Sequence, residues 1–244
     1  MFRRCLECCN CPQGIKTWLA PYTFSQVREA VIRGDQEEIE EILKEGFEKD
    51  EDDSLLMTAL EEGTEEMALR LVRRFSNYID FSVRNERGDT LLLVAIFKRM
   101  TEVAKALLPM CDPSATDYNR STAFMAAASN GNADLVLLLL KDRRSNPLAR
   151  NYDRQTALHR ACYYGEIDIV ELLLERTKLK VRDRDIKGNN CLHLACMGAN
   201  ITLTRYLMAK VVRSKDLLIP NSEGKRPLEL LQDTLKMVSP LIEP

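Results

Sequence analysis

Apolar residues return along this chain in a fixed local pattern. Met67, Ala68, Leu71 and Val72 stand at i, i+1, i+4 and i+5. The same places are filled by Val103, Ala104, Leu107 and Leu108, by Leu135, Val136, Leu139 and Leu140, and by Ile169, Val170, Leu173 and Leu174. That spacing lays one apolar stripe along a helix, and the stripe has to be buried. It weakens to Leu203, Thr204, Leu207 and Met208; near the start only Ile39, Ile42 and Leu43 remain, with Glu38 in the leading place. A shorter helix is expected ahead of each stripe. In the clearest copy the Thr156 hydroxyl caps it, Leu158 and Ala161 form an apolar pair at helical spacing, and Gly165 ends it through the left-handed conformation glycine tolerates.

The unit recurs from end to end. With Ala161 as marker, small residues occupy the same place at Ala30, Ala59, Ala95, Ala127 and Ala195, and Leu231 stands there near the end; the steps are 29, 36, 32, 34, 34 and 36 residues. One helix pair this short cannot bury its own apolar face, so copies must stack side by side. The expected product is an elongated, curved solenoid.

A repeat of about 33 residues carrying Thr-x-Leu-His-x-Ala, with Gly four places after the Ala, resembles the ankyrin repeat. Thr156-Ala-Leu-His159 and Asn190-Cys-Leu-His193 carry the likeness best, and Gly224-Lys-Arg-Pro-Leu places Pro227 at the first helical position as that family does. The resemblance implies an all-α ankyrin-repeat solenoid of helix-turn-helix repeats joined by β-turn or hairpin loops. It divides the chain into a cysteine-rich segment at 1–19, a repeat domain at 20–232 of about six repeats plus a C-terminal half-repeat, and a tail at 233–244. Repeat one runs from Tyr22 to Asp50, repeat two from Ser54 to Glu86, repeat three from Gly88 to Pro113 and repeat four from Thr122 to Pro147. Repeat two rests on spacing alone, and repeat three has Arg99 where the inter-helix Gly belongs.

Composition adds a bound and a charge asymmetry. At 45% hydrophobic and 30% charged the chain has enough apolar residues for a continuous core. The longest apolar run, Leu91 to Phe97, is seven residues, against the ~18 that read as a bilayer span. Nothing after Met1-Phe2-Arg3-Arg4-Cys5 reads as a signal peptide, so a cytoplasmic or nuclear location is expected. Net charge is −2, yet residues 35–66 hold 15 Asp and Glu against Lys44 and Lys49, which leaves 33 basic and 22 acidic residues elsewhere. The acidic first repeat reads as a polar cap, which a terminal repeat needs, with an acidic docking patch as the competing reading.

Four of the eight cysteines, Cys5, Cys8, Cys9 and Cys11, lie ahead of the repeats. Beside Arg3 and Arg4 they are candidates for S-acylation and a membrane tether. Zinc or redox chemistry and a tail of reduced thiols are the other readings; without Gly at position 2, myristoylation is excluded. Cys191, His193 and Cys196, with His159 and Cys162 one repeat away, mimic a metal site. In ankyrin repeats, however, this His bonds within the stack, and Cys162 and Cys196 sit where a small buried residue belongs. These being the only histidines, no acid–base or Cys–His pair is left over, and no phosphate loop, His-Glu zinc helix or nucleophile elbow is present. The sequence supports neither catalysis, nor a cofactor, nor a small-molecule substrate.

The resemblance implies a concave binding surface, lined by the turn before each Thr and by the two residues before the inter-helix Gly. In this sequence the turns supply Glu86, Arg87, Tyr118, Asn119, Arg120, Tyr152, Arg154, Ile186 and Lys187. The helix ends supply Phe97, Lys98, Tyr163, Tyr164 and Met197, with Ser129, Asn130 and Gly198 in equivalent places. Aromatic residues, Met and Arg are the types enriched in interface hot spots. Arg120, Arg144, Arg150, Arg154, Arg160, Arg182, Arg184 and Lys187 accompany them, which favours an acidic segment of a partner protein. Nucleic acid is not expected, because Asp117, Asp153, Asp183 and Asp185 break the positive field. The reading is a non-enzymatic protein-binding module, an adaptor or regulator. A membrane-tethered adaptor, a pathogen-encoded inhibitor of a host signalling protein and a metal- or redox-responsive protein are the alternatives.

Overall fold

The structure, a computed structural model, describes residues 22–45, 55–76, 79–210 and 217–238. Within them the chain forms short helices in antiparallel pairs. The first members are α1 (Phe24–Arg33), α3 (Leu55–Glu61), α5 (Leu91–Phe97), α7 (Ala123–Ser129), α9 (Ala157–Tyr164) and α11 (Cys191–Met197). The second members are α2 (Gln36–Glu45), α4 (Glu65–Phe75), α6 (Thr101–Leu107), α8 (Ala133–Lys141), α10 (Ile167–Arg176) and α12 (Ile201–Lys210), and α13 (Pro227–Val238) closes the series. From α1 to α13 each first helix packs on the next, while α4, α6, α8 and α10 pack in a second layer. This is the stack of helix pairs that the periodicity predicts.

Helices of seven or eight residues do not hold in water by themselves. Here their starts are fixed by side chains: Thr90, Thr122 and Thr156 accept hydrogen bonds from the backbone N–H of Leu93, Met125 and His159, as Thr64 does from Met67 at the start of the longer α4. Their inner faces are fixed by burial. The marker alanines 30, 59, 95, 127, 161 and 195 have no exposed surface, because each lies where neighbouring first helices meet. Leu231, in the last repeat, is only half-buried, having no further repeat on its outer side among the described residues. In the second layer Val103, Ala104 and Leu107, and likewise Ile169, Val170 and Leu173, are fully buried. Each such Leu or Ile contributes about 1.5–3 kcal/mol. At the fourth stripe position Val72 is buried, but from the third repeat on the position is looser than the pattern predicts: Leu108, Leu140 and Leu174 are half-buried and Met208 is exposed.

The inter-helix turns depart from the glycine pattern in three repeats. Gly34, Gly131 and Gly165 take positive φ, but Gly63 does not. Arg99 and Ala199 occupy the left-handed place without being glycine, at φ 60° and 54°.

Candidate functional site

Between repeats the chain projects a turn, and each turn is built on an Asn or Asp. Asn85, Asp117, Asn151, Asp185 and Asn221 fold their side chains back over their own backbone. The Asp117 carboxylate accepts from the N–H of Asn119 and Ser121 at 2.9 and 2.6 Å, and the Asn221 carbonyl from Glu223 and Lys225 at 3.0 Å each. This is Asx-turn chemistry. Three residues on, the backbone swings left-handed at Gly88, Arg120, Arg154, Gly188 and Gly224, with φ of 76°, 59°, 58°, 74° and 77°.

Neighbouring tips are bonded to each other. The N–H of Tyr118 donates to the Arg87 carbonyl (3.3 Å), Tyr152 to Asn119 (3.0 Å), Ile186 to Asp153 (2.7 Å) and Ser222 to Lys187 (2.9 Å). Arginines reinforce this ladder. Arg84 donates to the carbonyls of Gly88 and Thr116 (2.7 and 2.5 Å), Arg150 to those of Arg154 and Arg184 (3.0 and 3.2 Å), and Arg184 to those of Gly188 and Pro220 (2.7 and 2.5 Å). Each therefore ties its own tip to the next. The tips form one hydrogen-bonded row.

On that row Tyr118, Tyr152 and Ile186 stand 67%, 63% and 57% exposed. The Tyr118 ring lies over Gly88, where a Cβ would come within 2.6 Å of it. The Arg120 guanidinium lies over the Tyr152 ring, 5.8 Å from its centroid. Arg87, Arg120, Arg154 and Lys187 put one cation on each of four successive tips, and none makes an ion pair within the described residues.

The first-helix ends bring in the remaining predicted residues. Phe97 is exposed at the end of α5, and Lys98 donates to the Glu61 carbonyl at 2.9 Å. Tyr163 and Tyr164 meet edge to face at 5.2 Å, and Arg160 lies 5.3 Å from the Tyr164 centroid while its Nε donates to Ser129 Oγ at 3.1 Å. Met197 is half-buried. Two equivalent positions are taken out of the surface: Ser129 is buried and donates to the Met125 carbonyl, and Asn130 donates to the Ile96 carbonyl. The basic set also shrinks, since Arg150 and Arg184 serve the ladder and Arg144 is held by Asp142 and by the carbonyls of Cys111 and Leu108.

The electrostatics divide along the row. Towards the N-terminal end a groove of about 1090 Å³ is lined by Glu61, Glu62, Glu86, Asp89, Asp117 and Asp153 against Arg28, Arg84, Arg87, Lys98 and Arg160. Arg28 is paired with Glu62 at 2.7 Å, and Arg84, Lys98 and Arg160 are engaged as described. Six carboxylates therefore face five cations in it, and its charge is close to balanced. The exposed positive charge lies instead on the central tips at Arg120, Arg154 and Lys187, with Asp153 as the acidic residue among them.

The histidines and the neighbouring cysteines are spent inside the stack. His159 Nδ1 accepts from the Thr156 N–H at 3.2 Å, and its Nε2–H donates to the Asp183 carbonyl at 2.9 Å. Burial holds its pKa below the usual value. His193 repeats the first contact with Asn190, but its Nε2 finds no partner among the described residues. Burial also pushes the Cys196 thiol up to about 11 and Cys191 well above the usual range, so neither is a ready thiolate ligand. Among the described residues no three His, Cys, Asp or Glu are grouped to hold a metal, and no helix is long and apolar enough to cross a membrane. Cys5, Cys8, Cys9 and Cys11 lie outside the described residues.

What the sequence reading missed is the Asx residue of each tip and the arginine before three of them. Both recur at the repeat spacing, so the signal was present. Asp117, Asp185, Arg150 and Arg184 enter the sequence reading only as charges, and Asn85, Asn151, Asn221 and Arg84 do not enter it.

A family model described as ankyrin repeats, three copies to the model, matches residues 28–117 and 102–185. No curated protein matches the chain. The sixth helix pair and α13 lie beyond the matched residues and share the same tip chemistry, through Asp185 and Asn221.

Proposed function

The chain belongs to the ankyrin-repeat family, a fold of non-catalytic scaffolds generally used for protein–protein interaction, and from that premise we propose that it is an adaptor or regulator that binds a partner protein through the concave face and tips of its central repeats. The observation that carries this is the row of rings and cations. Tyr118, Tyr152 and Ile186 stay largely exposed on a backbone that four inter-tip hydrogen bonds hold in place, with Tyr163 and Tyr164 exposed on the adjoining helix end. Large apolar groups left in water on a rigid support gain contact area on binding at little ordering cost. The cations beside them suit an acidic segment of the partner.

The test is affinity capture from native lysate with the full chain, the Tyr152→Ala/Tyr163→Ala variant and a chain lacking residues 1–19. Unchanged melting of the Tyr variant with loss of its partners supports the proposal. Partners kept by that variant but lost with residues 1–19 would move the function to the cysteine segment and to the tethered or thiol-based alternatives.

A further inference from the structure

The repeats of this chain serve as controls for one another, and the control singles out two residues. At the left-handed tip position three repeats carry glycine, Gly88, Gly188 and Gly224, the residue that adopts this backbone without strain. The two central repeats carry arginine there, Arg120 at φ 59° and Arg154 at φ 58°. A side chain with a Cβ is strained in that region, and arginine has no short polar arm to offset it as Asn and Asp do. The Arg154 side chain makes none of the ladder's bonds, and Arg120 adds to the row only its contact with the Tyr152 ring. The ladder's side-chain bonds come from Arg84, Arg150 and Arg184, and its backbone bonds are made equally well at the glycine tip of Gly188.

Resting on the proposed binding surface, we infer that Arg120 and Arg154 are its specificity-determining residues, and that they recognise carboxylates of an acidic, aromatic-containing segment of the partner. Their position supports the choice of ligand. Both guanidinium groups are exposed and without an ion pair within the described residues, Lys187 adds a third cation on the next tip, and Tyr118, Tyr152 and Ile186 stand between them. Arg120 already lies against the Tyr152 ring, which orients its charge without neutralising it. The adjoining N-terminal groove has no such excess of cations, its carboxylates slightly outnumbering its basic residues, so the central tips are the favoured place for an acidic segment. Strain kept at two surface positions, with one ring contact as the packing return at Arg120 and none at Arg154, points to function there.

The experiment uses the full chain and two fluorescent random copolymers, one of glutamate and tyrosine and one of lysine and tyrosine. Wild type binds the glutamate copolymer, with affinity falling as salt rises, whereas the lysine copolymer, drawn to carboxylates elsewhere in the chain, binds wild type and the double glycine variant alike. Arg120→Gly with Arg154→Gly weakens that binding about tenfold or more, while the melting temperature rises by about 1–4 °C for each replacement. Arg120→Lys with Arg154→Lys keeps most of the affinity. Ala199→Gly, which relieves the same strain away from the tips, raises melting and leaves binding unchanged. Failure of wild type to bind the glutamate copolymer, or unchanged affinity in the double glycine variant, overturns the inference. Loss of native partners on Tyr152→Ala/Tyr163→Ala but not on the glycine replacements leaves the surface standing and removes the arginines from it.

Discussion

Replacing Gly198 by alanine sets two opposed effects against each other, and the structure decides between them. Gly198 caps α11 at φ −76° and ψ 2°, a right-handed conformation open to any residue. Backbone conformation alone therefore predicts a gain of about 0.4–1 kcal/mol for alanine, through a less flexible unfolded chain. Packing predicts the reverse. A Cβ on Gly198 would lie closer than 3.0 Å to the Tyr163 carbonyl oxygen and 3.1 Å from its carbon. That carbonyl ends α9 and accepts from Asn200 Nδ2 at 2.6 Å, so it cannot yield without parting the fifth and sixth repeats. Forcing a methyl into such a contact costs about 1–3 kcal/mol. The net loss is about 1–2 kcal/mol, or roughly 3–6 °C in melting temperature. Ala199→Gly, one residue on, has the opposite sign. Ala199 sits at φ 54°, and relieving it gains about 0.5–1 kcal/mol after the added flexibility of glycine is subtracted. Urea unfolding followed by circular dichroism reads both. Gly198→Ala as stable as wild type would refute the close approach of the two helix ends.

Three further outcomes follow from the same contacts. His159 is buried with its pKa below the usual 6.5, so the unfolded chain takes up its proton first. The stability this contributes is complete above pH 6.5 and is lost as pH falls through the folded-state value. His193 shifts the same way, so His159→Gln should shallow the slope in unfolding free energy below pH 6.5 without abolishing it; an unchanged slope would contradict the burial. Arg150→Met removes two bonds to tip carbonyls and should cost about 1–2 kcal/mol. Because Arg150 serves the ladder, the salt dependence of partner binding should not change; a weaker salt dependence would return it to the binding surface. Hydrogen exchange should be faster at the Tyr152 N–H than at the Ile186 N–H, since Thr116 replaces arginine at the position that elsewhere ties one tip to the next. Equal protection would show that the arginines do not stiffen the row.

The stack was legible because its cause is periodic. Six buried alanines and four apolar stripes return every 29 to 36 residues, and stacking the helix pairs side by side buries them. The candidate surface was legible only in part, for reasons particular to each residue. Ser129 is polar and stands where variable surface residues stand, yet burial and a bond to the Met125 carbonyl take it inward. Arg84, Arg150 and Arg184 look like a basic stripe in one dimension; their acceptors are carbonyls of the next repeat, 32, 34 and 36 residues away, which sequence does not bring near. The left-handed backbone at Arg120 and Arg154 has no local signature apart from the glycines one repeat away. Aligning Gly88 and Gly188 with them would have exposed it.

The distribution of ties along the tip row bears on how the surface works. Arg84 joins the Asn85 turn to the Asp117 turn, Arg150 joins the Asn151 turn to the Asp185 turn, and Arg184 joins the Asp185 turn to that of Asn221. Between the Asp117 and Asn151 turns there is no such arginine, because Thr116 occupies its place; the junction is held by the Tyr152-to-Asn119 backbone bond and by Arg120 lying on the Tyr152 ring. The least-tied junction therefore lies between the two most exposed rings, Tyr118 and Tyr152. A ligand bound across Arg120 and Arg154 would tie it from outside, in the manner that Arg150 ties the next one from within. The two neighbouring junctions stay rigid, so the ordering cost of binding is confined to one turn contact. On the proposed surface, affinity would then depend on that single junction, whose stiffness sets how much of the contact energy survives as binding.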